Sequence, residues 1–188
     1  GSGRDVADQA LASAFTGGEV YQVDRSGPSV TIGAPSATLA TSGPVTYTVD
    51  YADAGSGIAG ITLVTGNITL NKTGTADGTV GVSGSGNSRT VTISGITGSG
   101  TLGISIAAGT ATDNIPNAAA AAGPSATFNV DNDPPVITRN GPASVVLECG
   151  ATYADTGATA LDNLDGNITA NIAVDGLPPA GPLAPGEW

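Results

Sequence analysis

A junction of turn-forming residues divides this chain. Residues 131–135 read Asp-Asn-Asp-Pro-Pro and lie between an alternating run, 125–130, and an apolar run, 136–138. Two consecutive prolines have a fixed φ and donate no backbone hydrogen bond, so a β-sheet cannot continue through them. Residues 23–30 repeat the same order of valine, aspartate, proline and valine. The two junctions therefore predict a β-domain of roughly a hundred residues between them.

Between the junctions, short alternating runs rich in Val, Ile and Thr recur, and Gly, Ser, Asn or Asp separates them. This regular spacing predicts a β-sandwich or barrel, and it argues against the disorder that 29 glycines would otherwise suggest. We expect strands at residues 29–32, 45–51, 60–64, 67–71, 79–82, 89–93, 102–107 and 125–130. The alanine run 118–122 is expected to form a helical turn between the last two strands.

The strand pattern restarts after the second junction and is shorter there. Expected strands are residues 136–138, 143–147, 158–160 and 168–174. Before the first junction, residues 6–14 favour a short helix and residues 18–24 alternate like a strand. The predicted organisation is a segment at 1–24, a complete sandwich at 25–131, and a partial sandwich at 132–188 that lacks its last strands.

Charge and missing residue types exclude several functions. The chain has a net charge of −11, which argues against nucleic acid and anionic membranes as partners. It has no histidine and one cysteine, so a Cys–His pair, a Ser–His–Asp triad and a zinc cluster are excluded. No apolar run is long enough to cross a bilayer. We therefore expect a protein that is not an enzyme and does not insert into membranes.

Two regions resemble known families. The first region comprises residues 24–30 (Asp-x-x-x-Pro-x-Val), 53–58 (Asp-Ala-Gly-Ser-Gly-Ile) and 111–117 (Ala-Thr-Asp-Asn-Ile-Pro-Asn). It resembles the tandem Ig-like modules of large bacterial adhesins. The second region comprises residues 135–141, 147–150 (Leu-Glu-Cys-Gly), 153–160 (Tyr-Ala-Asp-Thr-Gly-Ala-Thr-Ala) and 162–169. It resembles the hyalin-repeat-like Ig modules of secreted and surface bacterial proteins. Together they imply an all-β fold of tandem Ig-like sandwiches, one complete and one partial.

The second resemblance bears on the cysteine. Some members of that family carry a second cysteine where Leu164 stands in this chain. Its absence leaves Cys149 without an intrachain partner, and we expect a buried, reduced thiol.

The aspartates at predicted strand ends and junctions have two interpretations. They are Asp24, Asp53, Asp113, Asp131 and Asp133. Carboxylates together with carbonyls of glycine-rich loops suit Ca²⁺, which takes six to eight oxygen ligands. The same side chains also form Asx-turns. Both interpretations stay open, and Ca²⁺ is the one cofactor that the sequence suggests.

The partial sandwich needs strands from elsewhere, and the N-terminal segment resembles the missing ones. We expect an extracellular, cell-surface structural protein: either the subunit of a head-to-tail fibre or a repeat of an adhesin stalk. In the fibre, Val20, Tyr21 and Val23 of one copy would enter the open sheet of the next. The alternative is a module that binds a surface glycan or a host protein.

Overall fold

The computed structural model describes residues 17–19, 21, 23–148 and 150–176, and in this part of the chain the regular structure is all β apart from two 3₁₀ turns. The strands are β1 (Ser29–Ile32), β2 (Leu39–Ala40), β3 (Val45–Ala52), β4 (Ile58–Ile61), β5 (Ile68–Lys72), β6 (Asp77–Ser83), β7 (Ser88–Thr97), β8 (Gly100–Ile106), β9 (Ala111–Asp113), β10 (Phe128–Val130), β11 (Val136–Arg139), β12 (Ala158–Asp162) and β13 (Gly166–Asn167). The 3₁₀ turns are Thr65–Asn67 and Thr169–Asn171.

Two four-stranded sheets build the larger unit. One sheet has the order β1-β3-β7-β6 and the other β2-β10-β8-β5, while β4 and β9 form a separate two-stranded ribbon. The pairs are antiparallel except β10 and β2, which are parallel. This is the arrangement of an Ig-like sandwich, and it confirms the all-β fold class.

The core lies between the inner faces of the two sheets. In β3 every second residue is buried, and these residues are Val45, Tyr47, Val49 and Tyr51. The facing sheet supplies a second set of fully buried side chains, which are Leu102, Ile104, Ile106 and Phe128. The tyrosine hydroxyls are satisfied inside the core: Tyr47 donates to the Ala126 carbonyl at 2.9 Å, and Tyr51 to Thr110 Oγ1 at 3.0 Å. Strict alternation therefore produces an apolar interior in which the two tyrosine hydroxyls have protein partners.

The registers place the two ends of the sandwich chain far apart. At the start, Ser29 pairs with Ala52, the last residue of β3. At the other end of the sequence, Val130 pairs with Gly100, just after the turn that follows β7. Because β3 and β7 run antiparallel, this turn lies beyond the first residue of β3. The chain thus enters at one end of the sandwich and leaves at the opposite end, roughly 25 Å away at about 3.3 Å per residue.

The C-terminal strands form a smaller sheet with an open face. Its order is β11-β12-β13, and Ala160 is the buried residue among its described strands. Large apolar side chains remain exposed on it, including Ile137 and Leu161. A groove of about 200 Å³ runs along the face, lined by Pro135, Ile137, Ala160, Ile168, Asn171, Ile172 and Ala173.

Most strands expected between the junctions are confirmed, with differences where the elements are short. The strand expected at 60–64 is β4, which lies at 58–61, and β2 and β9 had no expected counterpart. The alanine run 118–122 is not helical: Ala118 and Ala122 bridge to β9 and β8 instead. Pairing with strand edges replaces the local helical bonds that alanine prefers.

Two strands expected in the C-terminal region are absent. Residues 168–174 contain the second 3₁₀ turn, and residues 143–147 contain no strand. The latter segment follows the first strand of its region, as β2 follows β1 in the sandwich. There, β2 is an edge strand whose neighbour is β10. Because no counterpart of β10 follows among the described residues up to 176, this segment has no strand to pair with.

Shortening Phe128 tests the importance of the last strand. Its ring is buried between the sheets, so Phe128→Ala leaves a cavity and lowers the free energy of unfolding by about 3–5 kcal/mol. The measurement is urea denaturation followed by circular dichroism. Val64→Ala is the matched control, because Val64 is exposed and its truncation shifts stability by less than about 0.5 kcal/mol. Equal effects of the two substitutions would contradict the assignment of Phe128 to the core.

Candidate metal centre

Three of the predicted aspartates meet at the entry end of the sandwich. Asp24 precedes β1, Asp53 follows β3, and Asp113 ends β9. One carboxylate oxygen from each lies within 4.8 Å of those from the other two. Residues far apart in sequence converge here because the last residue of β3 lies beside the first of β1, and β9 pairs with the strand that follows β3.

Asp53 organises the loop between β3 and β4. Its Oδ1 accepts hydrogen bonds from the backbone N–H of Gly55 at 3.1 Å and of Gly57 at 2.7 Å. Gly57 has φ +79°, a conformation that side-chain-bearing residues rarely adopt. A Cβ on Gly55 would collide with the carboxylate of Asp24. The two glycines therefore allow the loop to close directly over Asp24.

Asp24 is held by two backbone donors. Its Oδ1 accepts from the Ser26 N–H at 3.0 Å, and its Oδ2 accepts from the Ser56 N–H at 2.7 Å. These bonds lower the pKa of Asp24 below the usual aspartate value, with a smaller contribution from the Ser56 side chain. The neighbouring charge of Asp113 opposes them. Asp24 is therefore ionised at neutral pH although it lies beside another carboxylate.

Asp113 is the most enclosed of the three, with 2% of its surface exposed. Burial alone would raise its pKa, but hydrogen bonds outweigh burial and the net pKa is lowered. Asn117 donates from its side chain to Oδ2 at 2.7 Å and from its backbone to Oδ1 at 2.7 Å, and the Ile115 N–H also donates to Oδ1. The site thus keeps a buried negative charge, stabilised by neutral donors.

Ser56 belongs to the same site, although a serine in a Gly-Ser-Gly loop is not distinctive in the sequence. Its side chain lies beside the carboxylates of both Asp24 and Asp113 and lowers the pKa of each. Its hydroxyl oxygen is buried and forms no hydrogen bond of good geometry. Next to it lies an open depression of about 460 Å³, lined by residues that include Asp24, Asp53 and Gly55. The side-chain atoms of these residues that could bind a metal ion are all oxygens, the ligands that a hard cation prefers.

The other two predicted ligands lie outside this group, at the exit end of the sandwich. Asp131 accepts a hydrogen bond from the backbone N–H of Asp133 at 3.3 Å, which is an Asx-turn. Asp133 accepts one from the side chain of Asn163 at 2.9 Å. Their similar sequence contexts did not separate them from Asp24, because the end of a sandwich to which a residue belongs depends on strand pairing.

The predicted strand-donor residues are partly described. Tyr21 and Val23 expose 78% and 74% of their surface, and no strand includes them. Val20 lies outside the described residues, as does Cys149. The insertion of these side chains into a second copy stays a prediction.

One known protein family matches the C-terminal region. Residues 137–177 match the family model of the bacterial surface protein, Ig-like domain. The resemblance to bacterial Ig-like surface modules is confirmed. The matched segment covers most of the open-faced sheet, from within β11 onward. Neither the curated proteins nor the solved structures provide a match to the chain.

The family match indicates a surface protein module with an extracellular location. The expectation that this chain is not an enzyme stays a prediction. Among the helical residues that the structure describes, no segment is long and apolar enough to span a membrane.

The lowered pKa values of Asp24 and Asp113 predict acid sensitivity. A carboxylate whose pKa is lower in the folded state stabilises the fold above the unfolded pKa of about 3.9 and loses that contribution as pH falls through the folded pKa. We expect both to titrate at a lower pH than an unperturbed aspartate in a carboxyl-carbon NMR titration. Asn117→Ala removes one side-chain donor and should raise the pKa of Asp113. Titration of Asp113 at or above the value of a free aspartate would contradict this account.

Proposed function

We propose that this chain is a structural segment of a surface stalk, a unit that spans distance and carries load. The observation that supports this role best is the placement of entry and exit at opposite ends of the sandwich. Modules joined in this way extend end to end, so each adds its full length to a rod. The bacterial surface match of residues 137–177 is consistent with such a location.

The hydrogen bonds of the exit junction support the same role. The backbone N–H of Asn132 donates to Ser99 Oγ at 3.0 Å, and its side chain donates to the Gly98 carbonyl at 2.9 Å. The next residue, Asp133, is bonded to Asn163 in the turn between β12 and β13. Two prolines follow and restrict the backbone further. Consecutive residues therefore connect the sandwich to the following sheet, which favours a stiff link.

A ligand-binding role has less support in the sandwich. Tyr47 and Tyr51 are buried and hydrogen-bonded internally, so their rings are not available for stacking on a sugar. The depression at the entry end is open and lined by small residues and carboxylates.

Pulling the chain by its two ends tests the stalk role. In single-molecule force spectroscopy, residues 29–130 should unfold in one event that lengthens the chain by roughly 330 Å, from about 3.5 Å per extended residue. Asn129→Pro is the comparison variant, because it removes the N–H that donates to the Thr38 carbonyl between β10 and β2. It should lower the unfolding force and leave the length gain unchanged. Extension without a resolved force peak in the unmodified chain would refute a load-bearing unit.

Strand exchange between copies is a second candidate, and one comparison within the chain favours it. Phe128 and Val130 are buried in the sandwich, Asn129 between them is exposed, and Asp131 follows. Residues 21–24 repeat this order as Tyr-Gln-Val-Asp, but Tyr21 and Val23 are exposed. The N-terminal segment therefore has the sequence of a last sandwich strand without a sheet to enter.

The C-terminal region offers a matching acceptor. Val145 and Val146 belong to the unpaired segment 143–147, and Val146 exposes 94% of its surface. We infer that an added strand would pair with this segment as β10 pairs with β2. Donation from one copy to the next is a heterologous contact, which extends into a filament unless it closes a ring. The same strands supplied by a longer parent chain would give a covalent stalk instead.

Substitutions in the N-terminal segment separate these two outcomes. We expect Val23→Asp to abolish filaments in electron microscopy, whereas Gln22→Asp should preserve them, because the corresponding Asn129 faces outward. A synthetic peptide of residues 17–24 should bind chains that lack residues 1–24 and protect their C-terminal region from protease. If the truncated chain still forms the same filaments, or the full chain is a monomer with a protected C-terminal region, exchange between copies is wrong.

A further inference from the structure

We propose that strand β6 is a homophilic contact edge, which pairs antiparallel with β6 of a second copy of this chain. The contact itself does not depend on the stalk role; only the orientation of paired stalks does. Three observations carry it: a free strand edge, a side of the sandwich with almost no negative charge, and charged groups of opposite sign at the two ends of the edge.

The edge of β6 has no partner in the described part of the chain. With seven residues, β6 is the longest of the four strands that end the two sandwich sheets. It pairs with β7 on one side. Among the described residues, no backbone–backbone hydrogen bond joins residues 79–83 to any strand or loop other than β7. The N–H and C=O groups that point away from β7 are therefore open to another strand.

The usual devices that protect a free edge are missing from most of β6. Natural proteins place charged residues, proline or a bulge on such edges. The bulge of β6 lies at its start, between Asp77 and Thr79, and residues 79–83 (Thr-Val-Gly-Val-Ser) contain neither charge nor proline. Gly81 lies in the middle of this run. A Cβ there would meet nothing closer than the Thr92 carbonyl oxygen at 3.9 Å, so the backbone is accessible at this point.

The acidic residues of the chain avoid this side of the sandwich. The sequence has 16 aspartates and glutamates, but residues 54–112 contain one of them, Asp77, together with Lys72 and Arg89. These residues supply β4 to β8. The chain as a whole has a net charge of −11, so two copies repel each other at most surfaces. The β6 side is where this repulsion is weakest.

The two ends of the edge have charges of opposite sign. Asp77 begins β6 and forms an exposed ion pair with Lys72 at 3.0 Å. Beyond the other end, the Arg89 guanidinium donates to the carbonyls of Gly86 and Ser88 at 2.8 and 2.9 Å. No carboxylate in the described part of the chain forms an ion pair with Arg89. Arg89 therefore has donors left for a carboxylate from outside.

A two-fold axis at Gly81 brings these charges together. In this register residue 79 of one copy lies opposite residue 83 of the other. Asp77 of each copy then lies beside the turn 84–87 of the other, next to a depression of about 230 Å³ whose lining includes Val82 and Arg89. Symmetry gives this carboxylate–guanidinium contact twice. Parallel pairing would instead place Asp77 beside Asp77 and Arg89 beside Arg89, which is unfavourable.

The size of the contact determines how it would act. Five residues from each strand bury less surface than a stable complex needs, so a single pair is weak. Several such pairs along two rods would gain strength through multivalency. Because β6 runs along the same axis as β3 and β7, antiparallel pairing aligns two copies that point in opposite directions. Under the proposed stalk role, the contact would thus join stalks from two facing surfaces.

Sedimentation equilibrium of the full chain tests the edge. Val23→Asp is the starting chain, because it blocks the proposed strand exchange and leaves β6 as the source of association. We expect a monomer–dimer equilibrium that depends on concentration. Gly81→Lys places like charges opposite each other at the axis and should raise the dissociation constant by roughly fivefold or more. Gly81→Thr, which adds a side chain without charge, should retain the dimer. Thr48→Lys adds the same charge on the outer face of β3, away from the edge, and should also retain it.

The charged ends give a second measurement with a distinctive sign. Asp77→Asn keeps the acceptor for the Gly78 N–H but removes the charge that faces Arg89 of the other copy. It should weaken the dimer although it makes the chain less negative, whereas relief of general repulsion would strengthen it. Asp162→Asn is the matched control, because it makes the same change in net charge outside the edge and should not weaken the dimer.

Disulfide trapping tests the orientation. Thr79→Cys and Ser83→Cys are made in separate chains that also carry Cys149→Ala. Opposite residues of an antiparallel pair have Cα atoms roughly 4.5–5.5 Å apart, within the range that a disulfide spans. A mixture of the two chains should therefore cross-link readily under mild oxidation, and neither chain alone should.

Four results would overturn the proposal. They are a Val23→Asp chain that stays monomeric at every concentration, a dimer that Gly81→Lys leaves unchanged, equal weakening by Gly81→Lys and Thr48→Lys, and cross-links between like cysteines, which mean parallel pairing. None of them affects the stalk role, since the unfolding force is measured on single molecules.

Discussion

The packing of two alternating strand faces against each other is the interaction on which the rest of this structure depends. The inner face of β3 meets that of β8, and the buried rings of Tyr47 and Phe128 lie between them. Few large side chains are available in this sequence, so each contributes a large share of the buried area. Strand register follows from this packing, because a shift by one residue would expose an entire inner face.

Register then determines which loops meet. The antiparallel pairing of β1 with β3, and of β4 with β9, brings the residues before β1, after β3 and at the end of β9 to a single end of the sandwich. Asp24, Asp53 and Asp113 thus become neighbours although almost ninety positions separate the first from the last. The glycines at 55 and 57 allow this meeting, because a side chain at Gly55 would occupy the position of the Asp24 carboxylate.

The sequence predicted the strands with strong alternation, because alternation is a local property. It did not predict β2 and β9, which are two and three residues long and depend on partners far along the chain. It also grouped Asp131 with Asp24, since both follow a valine at the end of an alternating run. Long-range strand pairing places Asp24 and Asp131 at opposite ends of the sandwich. The position of Ser56 could not be predicted for the same reason: serine between two glycines is ordinary in a loop, and its side chain comes to lie beside Asp24 and Asp113 only through long-range pairing.

The hydrogen bonds at the exit junction have a further consequence. Asn132 is fixed to the turn after β7, and Asp133 to the turn after β12, so the link resists rotation about the long axis as well as bending. In the proposed stalk, a link of this kind would transmit torsion and would set a constant angular step between one unit and the next. A series of such units would wind as a superhelix of defined hand, and any feature on the unit's surface would face the same direction again after a fixed number of repeats.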